Sequence, residues 1–128
     1  MELKTCNPKT GIYPATSDYV HALEVLDPNR FLFVSGTMGL DQEGIAGTSL
    51  EIQLELIWSN IQVILSSANM TVQNIVRVTS YLRDASYAEV NQSARVKALA
   101  GRIIPTTTIV VTTLVSDWMV ETEIIAAA

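Results

Sequence analysis

The last quarter of the sequence constrains the fold most, because β-branched residues crowd it. Every residue from 106 to 113 is Thr, Ile or Val, and a second β-branched stretch follows Trp118. Branching at Cβ restricts the side chain and favours an extended backbone. The sequence therefore predicts two strands, at Ile103–Val115 and Met119–Ala126, joined by the short polar break Ser116-Asp117.

The second of these strands carries two carboxylates. Successive side chains point to opposite faces of a strand. Glu121 and Glu123 therefore share one face, and Val120, Thr122 and Ile124 share the other. A carboxylate on a strand that otherwise faces apolar partners suits general acid–base chemistry. Glu121 is the candidate catalytic residue, with an interface carboxylate bonded to backbone or to a nearby arginine as the alternative, and Glu123 is expected to be structural.

Hydrophobic periodicity and turn residues predict the elements before this pair. They are a short edge strand at Met1–Cys6, strands at Tyr19–Leu26 and Phe31–Ser35, a helix from Thr48 to Asn69, a strand at Ile75–Leu82 and a helix from Ser86 to about Arg102. The turn at Asp27–Arg30 indicates that the second and third strands form a hairpin. Two helices between strands require crossover connections and some parallel pairing. The predicted fold class is α+β, a mixed β-sheet of four to six strands with two helices packed on one face.

Both helices carry sequence signals for their ends. Thr48 with Glu51, and Ser86 with Glu89, have the spacing of a capping box, and Asn69 lies where a left-handed C-terminal cap is expected. The first helix has one apolar stripe, formed by Leu50, Leu54, Ile57, Trp58, Ile61 and Leu65. The stripe of the second is thinner, with Tyr87, Val90, Ala94 and Ala98. Since two helices cover only one face of the sheet, we expect the other face to meet copies of itself.

Composition narrows the class of function. Apolar residues make up 48% of the 128 residues and charged residues 16%, which suggests that another subunit covers part of a single domain spanning residues 1–128. A net charge of −5 with scattered basic residues argues against a nucleic-acid partner. Cys6 is the only cysteine, so neither an internal disulfide nor a thiolate metal cluster is expected. The N-terminus lacks the apolar core of a signal peptide, and no apolar run approaches the ~20 residues of a membrane helix. A cytoplasmic protein without membrane contact is expected.

Four segments, in order and spacing, resemble the signatures of the RidA family, also called YjgF or the reactive intermediate deaminase family and formerly endoribonuclease L-PSP. The segments are Phe31–Gly36, Val78–Asp84 with Tyr87 and Val90-Asn91, Pro105–Thr108, and Val120–Glu123. The resemblance covers nearly the whole chain. It implies a chorismate-mutase-like α+β fold and a homotrimer whose sheets line a central barrel, with three clefts at the subunit interfaces.

The resemblance also implies a site. In active deaminases of the family, an arginine in the Pro-x-Arg segment grips the carboxylate of a 2-imino acid. A glutamate of the last strand positions the water that hydrolyses the imine to a keto acid and ammonia, and no metal or organic cofactor is used. Glu121 matches that glutamate, and Thr107 occupies the arginine position. Ser35 resembles the pocket serine, Tyr19 resembles a pocket-closing tyrosine, and Asn91 could reach the cleft. The alternative for each of these four ligand-binding candidates is a local packing or backbone role.

Thr107 is the departure from the family pattern. A threonine offers a hydroxyl, with no charge and no two-pronged donor. Truncating one side of a buried charge pair costs roughly 2–5 kcal/mol, which is roughly 1.5 to 3.7 powers of ten at about 1.4 kcal/mol per decade. The sequence therefore predicts weak activity on 2-imino acids and a neutral or cationic ligand. Arg77, Arg95 or Arg102 could supply the missing charge from another position, and His21, the only histidine, is a further candidate base.

The sequence supports three hypotheses for function. The first is a trimeric RidA-family protein that binds a small metabolite between subunits, with hydrolysis of an imine, an enamine or a related C–N bond as its candidate reaction. The alternative is a non-catalytic metabolite-binding or regulatory module. The third is a ribonuclease, against which the acidic charge balance argues.

Overall fold

The β-branched and aliphatic segments form six strands, and the two stretches with helical spacing of apolar residues form two helices. The computed structural model describes all residues from 1 to 128. In chain order the elements are β1 (Glu2–Cys6), β2 (Ala22–Leu26), β3 (Phe31–Met38), α1 (Leu50–Ser67), β4 (Ile75–Leu82), α2 (Ala88–Ala98), β5 (Thr106–Val110) and β6 (Val120–Ala127). Short 3₁₀ turns at Val72–Asn74 and Ala85–Tyr87 precede β4 and α2.

Four of the strands form a mixed sheet in the order β3-β6-β4-β5. Strand β6 runs antiparallel to both β3 and β4, and β5 runs parallel to β4. The parallel pair is joined by a crossover through α2, as parallel neighbours require. Strands β1 and β2 form a separate antiparallel pair. The predicted α+β class with a mixed sheet is confirmed.

Both helices cover the same face of the four-stranded sheet. Ile57 and Ile61 of α1 are fully buried in one cluster with Leu99, which follows α2. Val78 of β4 and Ile124 of β6 complete that cluster from the sheet. Helix α1 also touches β3 and β6. The predicted placement of the helices on one face is therefore confirmed.

The opposite face of the sheet, called the open face below, is not covered by any element of this chain. It carries Phe33 of β3, Arg77, Thr79 and Tyr81 of β4, Thr107 of β5, and Glu121, Glu123 and Ile125 of β6. Phe33 is 74% exposed, and its ring lies 6.1 Å from that of Phe31, which is also exposed. Large apolar side chains therefore lie beside two carboxylates on a surface facing solvent in one copy of the chain.

The final two strands are not neighbours, contrary to the predicted strand pair. Strand β4 lies between β5 and β6, and the connection from β5 passes over the end of β4, where Arg83 N–H donates to the carbonyl of Met119. Strand β5 is also much shorter than the predicted Ile103–Val115. It ends at Val110 because its only partner ends there, opposite Leu82. Local β-propensity gives no information about such non-local pairing.

The predicted hairpin of Tyr19–Leu26 with Phe31–Ser35 is wrong. Strand β2 pairs with β1, which confirms the short N-terminal strand, and β3 pairs with β6. Backbone bonds between Arg30 and Ala128 continue the β3–β6 ladder beyond its ends. Neighbouring strands in sequence pair only about two-thirds of the time. Here β2 pairs with the strand that precedes it, and β3 pairs with the last strand of the chain.

The helix ends differ from the predictions by a residue or more. Ser49, not Thr48, caps α1, because its Oγ accepts from the N–H of Ile52 at 3.2 Å. Asn69 adopts a left-handed conformation with φ of 54°, which confirms the predicted cap.

The start and end of α2 also differ from the predicted ones. Asp84, not Ser86, caps the turn that leads into α2, and its carboxylate accepts from the Ser86 N–H at 2.8 Å. The helix ends at Ala98 instead of near Arg102, because the left-handed residues Ala100 and Gly101 turn the chain away. None of the helices is long and apolar enough to cross a lipid bilayer.

Candidate functional site

Glu121 lies on the open face against a glycine of the neighbouring strand. It is half-buried and sits in register between Met38 of β3 and Tyr81 of β4. A Cβ built on Gly36 would lie 2.6 Å from Glu121 Oε2. The missing side chain at Gly36 therefore makes the space that the Glu121 carboxylate occupies, next to a register shift in β3.

Glu123 is held by a tyrosine of β4. The hydroxyl of Tyr81 donates to Glu123 Oε1 at 2.9 Å. This hydrogen bond raises the pKa of Tyr81, with smaller contributions from burial and from the charges of both glutamates. Glu123 is thus a fixed, hydrogen-bonded carboxylate, whereas no hydrogen bond engages the Glu121 carboxylate within this chain.

Thr107 faces the same side of the sheet and contacts an arginine. Arg77 Nη2 donates to Thr107 Oγ1 at 3.1 Å. Thr107 is in register with Thr79, and Thr79 is in register with Glu123 on the other flank of β4. Since adjacent strands lie about 4.8 Å apart, Glu123 and Thr107 stand roughly 10 Å apart across the open face. The position where the resemblance expects an arginine therefore holds a hydroxyl with a guanidinium beside it.

Tyr19 and Asn91 share a cavity of about 270 Å³ on the helix-covered side of β5. Thr106 and Thr108, the neighbours of Thr107 in β5, also line it. Asn91 belongs to α2 and is only 2% exposed. Strand β5 is an edge of the sheet, so Thr107 and this cavity lie on opposite sides of one exposed strand.

An ion pair connects two segments that line this cavity. Arg95 of α2 is 3% exposed and places Nη2 2.6 Å from Asp18 Oδ2, while its Nη1 donates to the Asp18 carbonyl. Burial alone would raise the pKa of Asp18, but hydrogen bonds from Thr16 and Arg95 outweigh it and lower that pKa. The pair fixes the segment that carries Tyr19 onto α2.

Ser35 lies on the exposed edge strand β3, immediately before Gly36. Its carbonyl accepts a hydrogen bond from Thr37 Oγ1 at 3.1 Å, and the residue lines an open depression of about 680 Å³ between β3 and α1. Within one chain Ser35 is therefore close to Glu121 through Gly36. It does not share a cavity with Tyr19 and Asn91.

The other candidates named from sequence lie away from the carboxylates. His21 places Nε2 2.8 Å from the carbonyl of Tyr13, and its ring packs edge-on against Tyr13 and Tyr19. Arg102 donates to the carbonyl of Val72, and burial lowers its pKa. No group of three or more His, Cys, Asp or Glu side chains is placed to hold a metal ion.

The sequence reasoning missed two features of the site. Tyr81 was not singled out as the partner of Glu123, and the pair of Asp18 with Arg95 was not anticipated. Alternation along β4 groups Arg77, Thr79 and Tyr81 on one face, but only the register against β6 shows that this is the face of the glutamates.

Comparison with known proteins identifies the family. The sequence model of the family described as Endoribonuclease L-PSP matches residues 11–128. The chain belongs to the RidA/YjgF family. A RutC family protein of Aquifex aeolicus is 34% identical over 71% of this chain and 69% of its own length. The mitochondrial protein MMF1 of Saccharomyces cerevisiae is 32% identical over 61% of this chain, which corresponds to 53% of the yeast protein.

Solved structures of RidA-family proteins share the fold. The Yersinia pestis protein YyfB, described as a Rid-family protein of unknown function, superposes with a TM-score of 0.87 over 100% of both chains at 22% identity. RidA from an Antarctic Psychrobacter gives a TM-score of 0.74 over 89% of this chain and 91% of its own, at 23% identity. At such identities the likeness supports the arrangement of helices and sheet.

Proposed function

We propose that this RidA-family protein binds a small metabolite in clefts between subunits of a homotrimer and hydrolyses a C–N double bond there. The observation that carries the proposal is the open face, which joins two carboxylates to uncovered apolar side chains. Phe31 and Phe33 are half or more exposed in one copy, and covering such side chains with further copies is favourable at about 25 cal/mol per Å² buried. The edge strands β3 and β5 then form the contacts between copies, called the seams below, near Ser35 and Thr107.

At the seams, side chains that lie far apart within one chain come close together. Tyr19 and Asn91 lie on one side of the edge strand β5, and Thr107 lies on the other. A ligand at this edge can reach both sides, and Ser35 and Glu121, which lie toward the opposite edge, can be supplied by a neighbouring copy. In this arrangement Glu121 is the catalytic residue, and the other four bind the ligand.

The proposed chemistry at Glu121 is hydrolysis of an imine. The Glu121 carboxylate accepts a proton from water while the water oxygen bonds to the imine carbon. The protonated Glu121 returns that proton to nitrogen, which gives a carbinolamine. Glu121 then accepts the carbinolamine hydroxyl proton and delivers it to the amine nitrogen as the C–N bond breaks, giving a carbonyl product and ammonia. The space at Gly36 and the absence of a hydrogen bond within the chain leave this carboxylate free to act. Such proton transfer contributes typically 10²–10⁴-fold to a rate.

The proposal predicts low activity on 2-imino acids, because Thr107 does not present a guanidinium. We expect the native chain to hydrolyse 2-iminobutyrate, generated in situ, more slowly than a family member with arginine at this position. Thr107→Arg should raise the rate about tenfold or more. This minimum gain is below the roughly 1.5 to 3.7 powers of ten derived for a buried charge pair, since the site is open and Arg77 repels a second guanidinium.

A comparison of decay rates for native and Thr107→Arg protein makes this test. A native rate equal to that of an arginine-bearing relative would contradict the expected weakness, and an unchanged rate in Thr107→Arg would show that residue 107 does not meet the substrate. Ligand-dependent thermal stabilisation without turnover in either protein would instead favour a non-catalytic binding module.

A further inference from the structure

On its β3 side, Glu121 lies at the end of a short run of strand pairing. The register of β3 against β6 shifts between Val34 and Thr37. Only two pairs follow the shift, Thr37 with Thr122 and Met38 with Glu121. The ends of elements open most easily, and a catalytic group must be held within about 0.5 Å of its productive place. This end of the ladder therefore needs support from outside the sheet.

Gln53 of α1 bonds to the backbone at the start of β6. Its side chain is 2% exposed. Nε2 donates to the carbonyl of Asp117 at 2.7 Å and to that of Gly47 at 2.9 Å, and Oε1 accepts from the N–H of Met119 at 2.9 Å. Both ends of the buried amide are thus engaged. Since Met119 precedes Glu121 by two residues, Gln53 fixes the main chain just ahead of the carboxylate.

The same amide is connected to the end of β3 through two glycines. Gly47, whose carbonyl accepts from Gln53, donates its own N–H to the carbonyl of Gly39 at 2.9 Å. Gly39 directly follows Met38, the partner of Glu121 in the ladder. A Cβ built on Gly39 would lie 2.5 Å from the Cα of Gln53, so the missing side chain lets the end of β3 approach α1 this closely.

Asn60 holds the end of β3 directly. It lies seven residues, or about two turns, after Gln53 and therefore on the same side of α1. Its Nδ2 donates to the carbonyl of Met38 at 3.3 Å and to that of Leu40 at 3.0 Å. Two amide side chains of one helix thus bond to the main chain of both strands at the pair that contains Glu121.

We propose that Gln53 is a positioning residue for Glu121, and that Asn60 assists it from the facing strand. The inference rests on the function proposed above, since it concerns the carboxylate to which that function assigns the chemistry. Gln53 lies on the helix-covered side of the sheet and Glu121 on the open face, so Gln53 acts through the main chain. Thr107 and Asn91, two of the proposed ligand contacts, lie at the β5 edge. A change at Gln53 should therefore impair the chemical step and spare binding.

The test compares Gln53→Met, which keeps an unbranched side chain but removes all three hydrogen bonds, with Gln62→Met as the matched control. Gln62 is exposed on the same helix. In the hydrolysis of 2-iminobutyrate, Gln53→Met should lower kcat about tenfold or more and leave KM within about twofold, because a misplacement of about 1 Å can cost about 10²-fold. Gln62→Met should match the native protein in both constants.

A double-mutant cycle shows whether Gln53 acts through Glu121. In a Glu121→Gln background, Gln53→Met should change the remaining rate by less than about twofold, because no catalytic carboxylate is left to misplace. Asn60→Ala, whose partners are two carbonyls, is the milder variant if Gln53→Met does not fold, and it should lower kcat about threefold or more with the same dependence on Glu121. An equal loss in both backgrounds, or an equal loss in Gln62→Met, would overturn the positioning role.

Crystal structures separate a failure of this inference from a failure of the proposed function. In Gln53→Met, or in Asn60→Ala, the Glu121 carboxylate should lie at least about 0.5 Å from its native place beside Gly36. If the carboxylate moves but the native protein hydrolyses no imine, the positioning role stands and the proposed function fails. If the carboxylate stays in place, the positioning role is wrong whatever the activity.

Discussion

Replacing Glu121 with glutamine should lower the rate of imine hydrolysis by about 10²–10⁴-fold. Glutamine keeps the shape of the side chain and its place beside Gly36, but it cannot accept the proton of the attacking water. The measurement is the decay of 2-iminobutyrate, made in the native chain and again in the Thr107→Arg background, where the higher rate widens the measurable range.

Glu123→Gln is the matched control for this experiment. Glu123 lies on the same face of β6, and its Oε1 already accepts the Tyr81 hydroxyl, so its replacement should cost less than about tenfold. Unchanged thermal unfolding would show that both variants fold. If Glu121→Gln keeps its rate within a factor of two, or if Glu123→Gln costs more, the assignment of the catalytic carboxylate is wrong.

Replacing Asp18 with asparagine should lower the free energy of unfolding by about 2 kcal/mol. Removing one partner of a fully buried ion pair costs roughly 3–5 kcal/mol, because the other charge stays buried without compensation. Here Arg95 is 3% exposed but the Asp18 side chain is 18% exposed, so water reaches the remaining guanidinium in part. Urea unfolding at a fixed protein concentration measures the loss, and the exposed Asp117→Asn variant should stay within about 0.5 kcal/mol of the native protein.

The ion pair of Asp18 with Arg95 also predicts how the free energy of unfolding depends on pH. Hydrogen bonds from Thr16 and Arg95 lower the pKa of folded Asp18, although burial opposes them. A carboxyl whose pKa is lower in the folded state stabilises the protein above its unfolded pKa of about 3.9, and that contribution is lost as the pH falls through the folded value. The stability difference between native and Asp18→Asn protein should be constant from pH 7 to about pH 5 and should shrink below about pH 4. If the stability difference between the two proteins stays undiminished below about pH 4, the ion-pair explanation is contradicted.

The local features of the fold were predictable because they depend on neighbours in sequence. The α1 stripe from Leu50 to Leu65 is buried as its spacing indicates, and Asn69 takes the left-handed conformation expected of it. Alternation in β6 places Glu121 and Glu123 on the face opposite Val120 and its apolar neighbours. Each of these follows from the period of a helix or a strand.

The pairings were not predictable, because their partners lie far apart in the chain. The sequence gives no reason why β4 should separate β5 from β6. It also gives no reason why α2 should bury Arg95, until Asp18, 77 residues earlier, is seen to accept from it. The contact of Arg77 with Thr107 likewise joins residues that are 30 positions apart in the sequence. The charge of the candidate site is therefore a property of the sheet register, which one sequence does not reveal.

The mass of the protein in solution tests the central claim most directly, because the proposed clefts exist only if copies close their open faces together. Light scattering coupled to size exclusion should give about 42 kDa, three times the 14.0 kDa of one chain, across a wide range of protein concentrations. A single species of about 14 kDa under the same conditions would leave Phe33 and Glu121 facing bulk water, and it would contradict the account.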